Sequence, residues 1–120
     1  MSFLDRIRNK GAPKTTDEAD DLVLRQLVGI GADLTKPRHV LHFLYFDDEA
    51  SAMAAADDIH KAGYETTLAA PQEAITQWSV RAEAERVVDR STVGAFRAWF
   101  ERIATEHGGE YDGWEASAEP

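Results

Sequence analysis

The sequence predicts an α+β fold built on one antiparallel sheet, and two observations support that class. The stretch His39–Phe46 is apolar on both sides of the two-residue alternation, which is typical of a strand in the middle of a sheet. The elements follow one another as a first helix and then β-α-β-β-α-β. Right-handed crossovers in that order place both inner helices on one face of four antiparallel strands, with the first and third strands in the centre. This is a ferredoxin-like sheet with an additional N-terminal helix.

The N-terminal part of the chain is expected to be a flexible basic segment, residues 1–14, followed by the first helix. Ser2–Lys10 could form a short amphipathic helix that touches a membrane surface or a partner, but a helix of this length is marginal in isolation. The first helix of the domain is predicted behind Thr15, which has the capping-box spacing to Glu18. The glycines within 29–31 end it.

Two further helices are predicted near 49–62 and 92–107. Asp47 is well placed to cap the first of them, and Ser91 or Thr92 to cap the second. Both show apolar residues at helical spacing, so each should cover the sheet with one face. The apolar stripe of the last helix consists of Val93, Phe96, Trp99, Phe100 and Ile103.

Three more strands complete the predicted sheet, at 64–69, within 76–88 and at 110–116. The middle one has the cleanest alternation in the chain, so one of its sides should face the core and the other should face water. Its predicted core side consists of Trp78, Val80, Ala82 and Ala84. We expect the open face of the sheet to carry Arg81, Glu83 and one register of the central strand. That register holds either His42 or Tyr45, and His42 is taken as the candidate.

Composition limits the class of protein. At 120 residues the chain is long enough for a single domain with one core, which we place at residues 15–117 with a tail at 118–120. There is no cysteine, so disulfides, thiolate nucleophiles and cysteine-based metal sites are excluded. No apolar run approaches the roughly twenty residues of a membrane span, and the first residues lack the pattern of a signal peptide. A cytoplasmic location is therefore expected.

Charge is unevenly distributed along the chain. Residues 1–14 hold four basic side chains and one carboxylate, a net of +3, so the remaining residues carry −12 within the total of −9. A body this acidic repels phosphate backbones, and direct binding of nucleic acid is therefore not expected. A basic segment of another protein is the better-matched partner.

The residues give little indication of chemistry. There is no glycine-rich phosphate loop and no Gly-x-Ser-x-Gly motif. His39 and His42 lie three apart on a strand and so point to opposite faces, where they cannot share a metal. Asp47, Asp48 and Glu49 could bind a hard cation weakly, but helix capping explains them with fewer assumptions. No enzyme activity, cofactor or metal site is predicted.

The stretch that discriminates best between functions is the terminal motif, residues 108–115, which reads Gly-Gly-Glu-Tyr-Asp-Gly-Trp-Glu. Gly113 inside a strand pattern suggests a bulge, which could redirect Tyr111 or Trp114 to the other face of the sheet. Two interpretations stay open: an edge strand anchored by two aromatic rings, or a recognition edge that offers rings and carboxylates to a partner. The candidate partner-binding residues are Glu110, Tyr111, Asp112, Gly113, Trp114 and Glu115.

At these residues the chain resembles the RraB family, regulators of ribonuclease activity. The resemblance extends backwards through Trp78-Ser79-Val80, Ala62-Gly63-Tyr64-Glu65 and the central strand, over residues 17–116. It implies a ferredoxin-like fold, in agreement with the periodicity. It also implies a non-catalytic protein that binds the C-terminal scaffold region of ribonuclease E and alters which RNAs are cleaved.

Two classes of function therefore stay open. The first is a non-catalytic regulator that binds a ribonuclease-associated protein; the second is a small-ligand or metal-binding domain with weak hydrolytic chemistry around His42, Asp47 and the final strand. A self-associating module is a third possibility. A cavity that holds His42 and two acids would favour the second class, and a flat acidic face would favour the first.

Overall fold

A computed structural model of the chain describes residues 6–9 and 16–118, which form one antiparallel sheet with helices on one face. In chain order the elements are β1 (Arg6–Asn9), α1 (Thr16–Gly29), β2 (Pro37–Phe46), α2 (Glu49–Lys61), β3 (Glu65–Ala69), β4 (Trp78–Val87), α3 (Arg90–Glu106) and β5 (Glu110–Ser117). The five strands lie in the order β1-β5-β2-β4-β3. The last four of these reproduce the predicted ferredoxin-like order, so the α+β prediction with an N-terminal helix is confirmed.

The central position of β2 follows from its two apolar faces. It pairs along its whole length with β4, and over residues 40–45 with β5. Its even-numbered residues Val40, His42, Leu44 and Phe46 are fully buried beneath the helices. The odd-numbered residues between them are only partly buried and lie on the opposite face. Because both faces of β2 are apolar, only a central position removes most of its apolar surface from water.

The N-terminal segment differs from the expectation. Arg6–Asn9 forms a strand, β1, and not part of a helix, and it pairs antiparallel with the outer side of β5. The other residues of the predicted segment 1–14 lie outside the described residues. A strand at a sheet edge leaves a row of backbone N–H and C=O groups unpaired, and β1 supplies their partners. Consequently β5 is an internal strand and not the edge strand of the first interpretation. Thr15 of the predicted capping box lies outside the described residues.

Two helix caps are displaced from the predicted residues. The N-cap of α2 is Asp48, whose Oδ1 accepts a hydrogen bond from the Ser51 amide at 2.7 Å, whereas Asp47 accepts one from Gln77. The N-cap of α3 is Asp89, which forms a capping box with Thr92. Asp89 has the extended backbone that a capping residue needs, so α3 begins before the predicted cap.

The core lies between the helices and the inner face of the sheet. Phe96, Phe100 and Ile103 of α3 are buried against it, as predicted from the stripe, and Phe100 has no exposed surface. Val80 and Ala82 of β4 are also buried. In the described part of the chain, no helix combines the length and apolarity that crossing a membrane requires.

The connection between α3 and β5 contains Gly109, at a position that has no room for a side chain. A Cβ atom at Gly109 would collide with the ring of Phe46 and the carbonyl oxygen of Tyr45. The Gly109 amide also donates to the carbonyl of Ala104 in the last turn of α3. This close approach lets β5 begin directly beside the end of β2.

Candidate partner-binding surface

The aromatic residues of the terminal motif are directed inward by a bulge in β5. Phe43 of β2 lies opposite Gly113, but the next residue of β2, Leu44, lies opposite Tyr111, so Asp112 is the extra residue. Gly113 has a φ of +116°, a conformation that side chains rarely adopt. The extra residue restores both rings to one face, where an unbroken strand would have separated them.

Each of the two rings is tied into the interior. The hydroxyl of Tyr111 lies 2.8 Å from Nδ1 of His42, and the Tyr111 ring stacks on Phe100 at a centroid distance of 5.4 Å. Trp114 is fully buried and donates its indole N–H to Oδ1 of Asp20 at 3.0 Å. The recognition-edge interpretation is therefore wrong for Trp114 and for Gly113, which is buried too, and Tyr111 has a structural role.

The three carboxylates of the motif have different positions. Glu110 is exposed and lies opposite Tyr45, on the face away from the helices. Glu115 is partly buried and lies opposite Leu41 on the same face. Asp112 occupies the bulge and is partly buried. Of the predicted partner-binding residues, these three carboxylates keep side chains at the surface.

A buried ion pair behind Trp114 was not anticipated. Arg97 donates two hydrogen bonds to the Asp20 carboxylate, from Nε at 2.7 Å and from Nη2 at 2.8 Å, and both side chains are more than nine-tenths buried. Burial alone would lower the pKa of Arg97, but its hydrogen bond and charge interaction with Asp20 raise it. The signal in the sequence was Arg97 itself, a charged residue within the apolar stripe of α3.

His42 does not lie on the open face, which corrects the prediction. It shares its face of β2 with Val40 and Leu44 and is completely buried. Its ring stacks on Phe100 at 4.0 Å and meets the edges of Phe96 and Tyr64. Nε2 has no hydrogen-bond partner among the described residues. Burial, with smaller contributions from the charges of Arg97 and Arg86, lowers the pKa of His42 to about 3.

The neutral state of His42 leads to a prediction about acid stability. The unfolded chain takes up a proton at His42 below a pH of about 6.5, whereas the folded protein does not until about 3. The unfolded state therefore binds more protons between these values, and stability falls as the pH is lowered through this window. We expect His42 to contribute a slope on the order of 1 kcal/mol per pH unit. Urea unfolding of the wild type and His42→Phe across the window measures it.

The test compares how the free energy of unfolding changes with pH, and not its value at any single pH. His42→Phe leaves the Tyr111 hydroxyl without its partner, so this variant should be less stable than the wild type at neutral pH. Its stability should depend less on pH than that of the wild type. His60→Gln is the control, because His60 is exposed and its removal should leave the slope at nearly the wild-type value. Equal slopes for the wild type and His42→Phe would contradict the assignment.

The face of the sheet away from the helices carries an apolar column. It consists of Leu41, Phe43 and Tyr45, which alternate with the buried residues of β2 and are partly exposed. The neighbouring residues of β4 on this face are Ser79, Arg81, Glu83 and Glu85, in register with the column and with His39. Arg81 is exposed and Glu83 is partly buried, so the structure places both on this face.

Carboxylates line up across this face beside the apolar column. Glu83 lies directly opposite Glu65 of β3 on one side and opposite Leu41 on the other, beyond which Glu115 follows. Glu115 in turn lies opposite Arg8 of β1. We call Glu65, Glu83 and Glu115 the acidic row. Like charges directly opposite each other on neighbouring strands destabilise a sheet. Nε2 of His39 lies 2.8 Å from a carboxylate oxygen of Glu83.

A shallow groove adjoins the column at the other end of this face. Its volume is about 320 Å³, and its walls are Phe43, Tyr45, Thr67, Ala69, Ile75, Ser79, Val80 and Arg81. Ile75 comes from the connection between β3 and β4 and is 44% exposed. The face therefore combines apolar surface, Arg81 and several carboxylates.

A second group of polar side chains lies at the ends of α2 and α3. Donor atoms of Asp58, Glu106 and His107 all lie within 4.8 Å of one another, which is close enough for a metal ion. His107 caps α3 and its Nε2 lies 2.8 Å from Asp58, while Glu106 pairs with Arg102 along the helix. These hydrogen bonds and ion pairs explain why the three side chains lie together at the helix ends.

The family model RraB, described as Regulator of ribonuclease activity B, matches residues 17–116 of the chain. This range extends from the start of α1 into β5 and includes the terminal motif. A search of curated proteins found no match.

Proposed function

We propose, from the premise that this chain belongs to the RraB family of regulators of ribonuclease activity, that it is a non-catalytic protein that acts by binding. The partner is a basic segment of a ribonuclease, and the C-terminal scaffold region of a ribonuclease E is the first candidate. Binding there would change which RNAs the ribonuclease cleaves. The place of action is the cytoplasm, where the nuclease and its RNA meet.

The observation that carries this proposal is the composition of the open sheet face. Glu65 and Glu83 oppose each other there without a neutral residue between them, and Glu85 and Glu110 add further charge. A lysine or arginine from a partner would relieve the repulsion between the opposed carboxylates. The charge of −12 carried by residues 15–120 attracts basic segments and repels free RNA.

The alternative class, a ligand-binding or hydrolytic domain around His42, receives no support from these contacts. The ring neighbours of His42 are aromatic, namely Tyr64, Phe96, Phe100 and Tyr111, and its Nδ1 shares a hydrogen bond with the Tyr111 hydroxyl. A general base must reach the proton that it removes, and a fully buried imidazole among rings does not reach a substrate.

Binding to the ribonuclease E scaffold region should depend on salt and on one face of the domain. We expect association to slow as salt rises, because exposed charges are screened over about 8 Å at physiological ionic strength. Replacement of Glu65 and Glu85 by lysine should slow association about tenfold, with a smaller effect on dissociation. The same reversal at Glu110 and Glu115 tests the contribution of the final strand. Surface plasmon resonance at two salt concentrations gives both rate constants.

The matched control reverses two carboxylates on the helical side, Asp57→Lys and Glu106→Lys, which changes the net charge by the same amount. Both residues are exposed. If the control slows association as much as the changes on the sheet face, overall charge and not this face is responsible. Absence of wild-type binding to the scaffold region would refute the choice of partner.

A further inference from the structure

We infer that the groove beside Ile75 and the acidic row form one docking surface for a basic protein segment that carries an apolar side chain. The groove receives the apolar side chain, and the carboxylates receive the neighbouring lysines or arginines. This inference rests on the proposed function and adds to it the kind of sequence that the partner must present.

The groove suits an apolar group better than a charged one. Phe43, Tyr45 and Ile75 are among the apolar residues of its wall, and Ile75 keeps 44% of its surface exposed. Arg81 forms part of the same wall. Its positive charge disfavours a lysine or arginine in the groove, so the basic side chains of a partner are directed towards the carboxylates.

The distance between the acidic row and the groove determines how far apart the basic and apolar residues of the partner must be. The acidic row crosses β2 at Leu41, and the groove lies beside Phe43 and Tyr45, two and four residues further along the same strand. Two residues of a strand span roughly 7 Å, so the acids and the groove lie roughly 7–13 Å apart. An extended partner segment would bridge that distance with its apolar residue two to four positions from a basic one.

Ile75 differs from the other exposed apolar residues in its surroundings. Leu22, Val28 and Met53 are also exposed, but they belong to helices α1 and α2 on the other side of the domain. Single apolar side chains at a surface are common and need no partner. Ile75 instead lies beside the apolar column of β2, and the acidic row crosses that column at Leu41. The open face therefore offers both apolar contact area and negative charge to a partner.

The inference can be tested with synthetic peptides and without the ribonuclease. One fluorescein-labelled peptide alternates lysine and serine around a central phenylalanine, and a second has serine in place of the phenylalanine. We expect the wild type to bind the first roughly tenfold more tightly by fluorescence anisotropy, a difference of about 1.4 kcal/mol. Ile75→Asp should remove this preference and leave the weaker binding of the second peptide.

Leu22→Asp is the matched control, because Leu22 is exposed to the same 44% on a helix. It should keep the preference. Thr67→Trp, at an exposed strand position in the groove wall, should fill the groove and remove the preference without altering the acidic row. Circular dichroism confirms that each variant is folded.

The inference is overturned if the wild type shows no preference for phenylalanine, or if both groove variants retain it. The proposed function can survive either outcome, since the scaffold region could bind through the carboxylates alone. Conversely, the wild type could prefer the phenylalanine peptide and yet not bind the scaffold region. That result would overturn the choice of ribonuclease E as partner and support the docking surface.

Discussion

Replacement of Asp20 by alanine should lower the free energy of unfolding by roughly 3–5 kcal/mol, the usual cost of removing one partner from a buried ion pair. Asp20 accepts two hydrogen bonds from Arg97 and one from the indole of Trp114, and all three side chains are buried. Its removal leaves a guanidinium and an indole N–H in the interior without this acceptor. Urea unfolding followed by tryptophan fluorescence measures the loss.

The neighbouring residue provides the control for this prediction. Asp21 also pairs with an arginine, Arg90, at 2.8 Å, but the Arg90 side chain is 78% exposed. Asp21→Ala should therefore cost less than about 1 kcal/mol. Similar losses for the two alanine variants would show that the buried network is not a major contributor to stability. Since Asp20 joins α1 to α3 and β5, its loss should also weaken the contact of α1 with the rest of the domain.

Phe100→Ala should cost roughly 3–5 kcal/mol, the usual range for truncation of a buried aromatic residue. Phe100 has no exposed surface and contacts the rings of His42, Tyr64, Trp99 and Tyr111. Truncation would open a cavity at the point where α3 meets β2 and β5. Thermal and urea unfolding of purified variants measure the change.

Two further variants distinguish burial from other effects. Phe100→Leu keeps most of the volume and should cost clearly less than the alanine variant. Leu22→Ala truncates an apolar side chain at an exposed helix position and should change stability by less than about 1 kcal/mol. A loss below about 1 kcal/mol for Phe100→Ala would mean that the residue is exposed in solution.

These two predictions give the terminal motif a structural explanation. Trp114 joins β5 to the Asp20–Arg97 pair, and Tyr111 joins it to His42 and Phe100. Both contacts depend on the bulge at Asp112, and the bulge depends on a residue that tolerates the φ of Gly113. The motif therefore holds the final strand against the helices.

The candidate surface could be predicted from the sequence only in part. The strict alternation of β4 correctly assigned Arg81 and Glu83 to the face away from the helices. The same reasoning could not choose between the two registers of β2, because both are apolar. It also gave no indication that Ile75, in a connection, would lie beside Phe43 and Tyr45.

The sequence by itself determined the class of fold, the positions of the helices and the central place of β2, because periodicity and chain order are local properties that each segment carries. Only the tertiary structure decided what depends on distant partners. β1 became a strand because β5 offered an unpaired edge, and His42 turned inward because Tyr111 and Phe100 meet it there. Arg97 could be buried in a helix stripe because Asp20, 77 residues away in the chain, neutralises it.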